Sequence, residues 1–213
     1  MSIRVSRVEG VAVDGVEYYT GMSDRDRQSG HYQRRRLEDE MAVREILTAE
    51  HPVLRRKCTK IQHFDASLQR LADDMIETMR HANGVGLAAP QVGVPVRLFV
   101  VEVPEDSEEP RAGELFVLYN PEILKKDELY YPEEGCLSFP GWVANVPRYQ
   151  NVLVKGRNRQ GREVRIKASG LLAQALQHEH DHLNGVLFFD YLDSMDQLRR
   201  VEPASETASA RNG

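Results

Sequence analysis

The chain has 213 residues, 41% hydrophobic and 29% charged, with a formal net charge of -5. This suits one soluble globular domain and leaves little room for a second. The acidic balance argues against a dedicated nucleic-acid binder, no apolar run approaches membrane-spanning length, and the N-terminus lacks a secretory pattern. A cytoplasmic location with no direct nucleic-acid or membrane partner is therefore expected. Cys58 and Cys136 are the only cysteines, too few for a disulfide framework and so expected as thiols free for other chemistry.

Residues 1–40 read as an N-terminal extension, disordered or preceding the true start at Met41. The stretch Ser23–Glu40 is charged and has no apolar periodicity. A domain spanning 41–192 follows, and 193–213 is expected as a short frayed tail. Asp65 precedes a helical pattern in which Leu68, Leu71, Ala72, Met75, Ile76 and Met79 share one face. Asn83-Gly84 is expected to end this helix, with Gly84 entering the left-handed region. Val94–Val103 reads as a buried strand, Pro104–Glu114 as a polar loop, and Phe116–Leu124 as a strand leading into a turn. Asn151–Ile166 alternates around Arg159-Gln160-Gly161, as a β-hairpin does. A second helix is predicted over 170–184, stopping at Gly185. The expected class is α+β, with mixed or antiparallel sheets packed around a central C-terminal metal-binding helix.

That second helix contains His178-Glu179-His180-Asp181-His182. His178 and His182 are four residues apart, so both imidazoles leave one helical face and reach one metal ion, with Glu179 beside it as general base. Leu171, Leu172, Ala175, Leu176 and Leu183 make the helix too apolar for the surface, so its histidines come inward and need partners. Cys136, in Glu134-Gly135-Cys136-Leu137-Ser138, supplies a third ligand. A thiolate and two imidazoles leave a position open for water, as in a catalytic site. Cys58 reads as structural. His180 faces away from the ligands, and Asp181 either supports the site through a hydrogen bond or caps contacts near the helix end.

Three separated segments, Gly84–Gln91 (GVGLAAPQ), Glu134–Ser138 (EGCLS) and Gln177–Gly185 (QHEHDHLNG), resemble in order and spacing the three signature motifs of peptide deformylase. The likeness extends over about 41–192. It implies a hydrolase that removes the formyl group from N-formylmethionyl nascent peptides and releases formate. It also implies Cys136, His178 and His182 as metal ligands, Glu179 as acid/base, and Gln91 with the Leu137 N–H as oxyanion donors. Val85 and Gly86 would pair with the substrate as an added strand. The implied metal is Fe2+, with Zn2+ or Ni2+ as substitutes, although coordination preference alone favours zinc for such a donor set.

Leu171, Gln174 and Ala175 lie seven, four and three residues before His178, share its face, and are expected to line the methionine pocket. Gln174 stands where the family usually has an apolar residue, and Phe139 where a smaller aliphatic one is usual. The region after Leu192 lacks the long basic helix of some relatives, so the likeness extends only to transient proximity to the ribosome. The rival reading is an HExxH metallopeptidase cutting internal bonds. Its third ligand normally follows the helix, whereas Cys136 precedes it. A structural-metal module would need a closed four-ligand shell, and no second cysteine accompanies Cys136.

Overall fold

The structure is a computed structural model that describes residues 10–13, 16–19 and 42–201. The chain divides into two compact units, 1–40 and 41–213. In the first, β1 (Gly10–Val13) and β2 (Val16–Tyr19) pair as an antiparallel hairpin, with Val11 opposite Tyr18. The segment Ser23–Glu40 lies outside the described residues.

The second unit is α+β, built on a five-stranded antiparallel sheet. Helix α1 (Ala66–His81) precedes β3 (Gly86–Ala88), β4 (Leu98–Glu102) and β5 (Leu115–Tyr130), and β8 (Arg148–Arg157) and β9 (Glu163–Ser169) complete the sheet in the order β3-β4-β5-β8-β9. Helix α2 (Gly170–His182) follows β9 directly. A smaller antiparallel sheet combines β6 (Glu133–Cys136), β7 (Phe139–Asn145) and β10 (Arg199–Arg200) in the order β10-β7-β6.

The large sheet is covered on both faces. Leu98, Val100, Val117 and Tyr119 pack with Leu71, Met75, Ile76 and Met79 of α1. Their strand neighbours Phe99, Val101, Phe116 and Leu118 point the other way and pack with Leu172, Ala173 and Leu176 of α2. Alternation between two apolar cores explains the unbroken run in β4, since a strand buried on both faces has no polar side to show. Helix α2 is thus central, because the large sheet covers one side while Phe188 stacks against His178 at 6.4 Å on another.

Several boundaries differ from the sequence reading. At the end of α1 the left-handed residue is Asn83 (φ 53), not Gly84, and Gly84 N–H bonds to Met79 O at 2.9 Å, closing a Schellman motif. A Cβ at Gly84 would lie 2.7 Å from Leu137 Cδ1, so a side chain there would require Leu137 to shift. The strand read as Phe116–Leu124 and leading into a turn continues instead to Tyr130, with a register shift between Tyr119 and Glu122. Asn120 absorbs the irregularity at φ 50 while its amide bonds Ile61 N–H and C=O at 2.8 and 2.7 Å. Helix α2 ends at His182, two residues before the predicted end, and Gly185 follows at φ 76. Residues 193–201, read as the start of a frayed tail, contain a 3-10 turn at Met195–Gln197 and the strand β10, with Arg199 opposite Val143 and Arg200 opposite Trp142. Residues 202–213 lie outside the described ones.

Candidate metal centre

A cleft of about 840 Å³ opens between β3, the small sheet and α2. At its floor the structure brings Cys136, His178 and His182 together, with ligand atoms all within 4.8 Å of one another. His178 Nε2 and His182 Nε2 are 3.2 Å apart, and Cys136 Sγ is 3.3 Å from His182 Nε2. Both imidazoles are buried. His178 turns its Nδ1 to Glu134 Oε2 at 3.0 Å, which directs the lone pair of Nε2 toward the cluster. Three converging electron-rich atoms cannot all be satisfied by one another's protons, and a shared cation is the partner that satisfies them. The donor set therefore fits a metal ion. Burial, reinforced by the proximity of His178, pushes the His182 imidazole far down, toward the neutral form that ligates. Burial acts the same way on His178, but hydrogen bonding to Cys136 and Glu134 outweighs it and carries that imidazole upward.

Around the cluster lies a network that the sequence motifs did not reveal. Arg148, itself buried, donates from Nε and Nη2 to both oxygens of Glu134 at 2.8 Å, and from Nη1 to Asp181 Oδ2 at 2.6 Å. Tyr191 Oη donates to the same Asp181 oxygen at 2.9 Å. Burial alone would raise the Glu134 carboxyl, but its bonds from Arg148 and His178 prevail and hold it at about 2. The question left open at Asp181 is answered by this bond, since it supports the ligands through Arg148. His180 faces away, as expected, 3.3 Å from Arg97 Nη2. Burial and Arg97 push its imidazole down to about 4. Cys58 is buried in the core cluster beside Ala173 and Leu176.

Glu179 is buried against Gly86, where any Cβ would overlap its carboxyl group, which gives that glycine a packing reason. Its Oε2 has no hydrogen-bond partner among the described residues. Burial pushes the carboxyl up to about 7, where it exchanges a proton readily near neutral pH. Gln91 is buried in a 3-10 turn following β3. Its Oε1 accepts from Ala88 N–H at 2.7 Å, while Nε2 donates to Ser138 Oγ at 3.1 Å and lies 3.7 Å from Cys136 Sγ. The amide is thus fixed with its N–H groups toward the metal ligands. Leu137 lies in the tight connection between β6 and β7. Val85, Gly86, Leu137, Leu171, Gln174 and Ala175 all line the cleft. Gln174 Nε2 bonds Glu133 O at 2.9 Å, tying α2 to the small sheet.

Residues 43–198 match the sequence profile of the family described as Polypeptide deformylase. The chain belongs to the peptide deformylase family. It is 48% identical over 166 residues to the peptide deformylase of Dehalococcoides mccartyi strain BAV1, covering 78% of this chain and 96% of that protein. It is 47% identical over 175 residues to that of Thermomicrobium roseum, covering 81% and 99%. Among solved structures, the Legionella pneumophila peptide deformylase superposes with a TM-score of 0.68 at 44% identity, over 73% of this chain and 89% of that one. The Ehrlichia chaffeensis enzyme in complex with actinonin gives 0.70 at 40% identity, over 74% and 92%. Family and site agree on metal dependence, with Cys136, His178 and His182 as the metal-binding triad. No helix among the described residues is long and apolar enough to cross a membrane.

Proposed function

We propose that this chain removes the formyl group from the N-terminal formylmethionine of newly made polypeptides, releasing formate and a free N-terminal methionine. The observation that carries this is the buried, unpartnered carboxylate oxygen of Glu179 next to three convergent metal-ligating atoms in an open cleft. Cys136, His178 and His182 hold the metal, Fe2+ in the cell, with Zn2+ or Ni2+ able to occupy the same donors. When bound, the ion supplies Lewis-acid chemistry, acidifying water and polarising the formyl carbonyl.

The remaining work falls to the polypeptide. Val85 and Gly86 present backbone groups at the start of β3, an edge of the large sheet, and the substrate adds there as an extended strand. Leu171, Ala175 and the stem of Gln174 take the methionine side chain. Glu179 removes a proton from the attacking water as its oxygen bonds to the formyl carbon. The carbonyl oxygen becomes an oxyanion and accepts from Gln91 Nε2 and the Leu137 N–H, donors worth about 2.7–4 kcal/mol each by analogy with other oxyanion holes. Glu179 then returns the proton to the amine as the carbon–nitrogen bond breaks. Gln91 is already oriented by Ala88 and Ser138, so little reorganisation opposes this stabilisation.

Residues 41–192 form the catalytic domain, 1–40 are dispensable for catalysis, and the reaction takes place in the cytoplasm in transient proximity to the ribosome. The assay is formate release from formyl-Met-Ala-Ser by metal-defined protein, with casein as the comparison. Formate release without casein cleavage is expected. Casein cleavage without formate release would contradict the reading.

A further inference from the structure

We infer that Arg200 binds a carboxylate carried by the substrate two or three residues after the formylmethionine, an inference that rests on the deformylase reading above. Strand β10 lies on the outer edge of the small sheet, and Val201 extends the contact by donating its N–H to Gly141 O at 2.9 Å. Its two arginines have different surroundings. Arg199 Nη2 reaches Glu133 Oε2 and Asn145 Oδ1, each at 2.8 Å, so its charge is used within the sheet. Arg200 stands directly opposite Trp142, which places their side chains on one face of the ribbon. Both residues are exposed and both line the cleft.

Among the described residues Arg200 forms no ion pair, while the carboxylates lining the cleft are engaged. Glu133 is held by Arg199 and Glu134 by Arg148 and His178. Glu179 carries the proton transfer. Arg200 is therefore the uncommitted cation of the described lining, in a cleft whose substrate end is otherwise apolar or amide-like.

The spacing also suits the assignment. Strand β10 lies two strand spacings from β6, roughly 10 Å, and Cys136 ends β6 at the metal centre. An extended peptide advances about 3.3 Å per residue, so a span of that size is covered within about three residues of the methionine. A planar guanidinium matches a carboxylate with two parallel hydrogen bonds. The carboxylate can come from an acidic side chain or from the free C-terminus of a short peptide.

The test compares kcat/KM for formate release from formyl-Met-Ala-Glu-amide, formyl-Met-Ala-Gln-amide and formyl-Met-Ala-Gln with a free C-terminus. It uses the full-length metal-loaded protein and its Arg200→Gln and Arg200→Glu variants at low ionic strength. Each protein is judged on its own ratio of charged to neutral peptide, so a general loss of activity does not confuse the result. The wild type is expected to favour a carboxylate-bearing peptide by about three- to fivefold, as an exposed pair allows, and salt should erase the preference. The ratio should fall to about one in Arg200→Gln and below one in Arg200→Glu. A preference confined to the Glu peptide assigns the side chain as the source, and one confined to the free acid assigns the terminus. Equal ratios in all three proteins would overturn the role of Arg200. Failure of the wild type to release formate from any of the peptides would instead overturn the deformylase reading.

Discussion

Helix α1 starts on its own cap, whereas α2 starts on one supplied by a distant loop. In α1, Asp65 accepts Leu68 N–H at 3.0 Å, Arg80 and His81 occupy the last turn, and Asn83 closes the end. In α2, Ser169 makes no side-chain cap, and Leu171 N–H is taken by Glu109 Oε1 at 3.2 Å, from the loop before β5. Gln177 bonds both backbone groups of Tyr149 in β8, at 3.0 and 2.8 Å, and Arg148 holds Asp181. The difference follows from what each helix does. Both helices are tied to distant residues, α1 through Asp74 to Arg44 and Arg80 to Glu102, but only in α2 do those ties set metal ligands against the third, which lies on another element.

The largest expected break in this arrangement is Arg148→Ala. It leaves the Glu134 carboxylate buried without its cation and releases Asp181, so we expect a loss of about 3–5 kcal/mol in stability. Metal affinity should fall about 10–100-fold as His178 loses its orientation. Denaturant unfolding and competitive metal titration check the two effects. Unchanged affinity would mean that Arg148 serves packing alone.

The helix caps give a smaller and sharper comparison. Asp65→Ala and Glu109→Ala should each lower stability modestly, read as a small drop in unfolding midpoint. Only Glu109→Ala should also weaken metal binding, because only α2 carries ligands. Equal effects of the two variants on metal affinity would erase the distinction between the helices.

The same contrast explains what the sequence made legible. Helix α1 and the metal triad were readable because their signals are periodic or stand in short motifs, namely Asp65 with its apolar face, His178 with His182, and Cys136 in its Gly- and Pro-flanked turn. Arg148 was not, because its pairing with Glu134 and Asp181 joins three elements and leaves no local pattern. The turn expected after Leu124 does not form, for a related reason. Pairing with β8 carries β5 on to Tyr130, and the irregular backbone falls at Asn120, where bonds to Ile61 hold it. Strand β10 is two residues long and forms only because β7 offers an edge.

Glu179 moves the proton while three other side chains hold the metal, and Glu179→Ala separates the two roles. Metal content per chain and formate release from formyl-Met-Ala-Ser are measured on the same sample beside the wild type. We expect one metal per chain in both proteins, with turnover in the variant reduced by about 10²–10⁴. Near-normal turnover with metal retained would contradict the account.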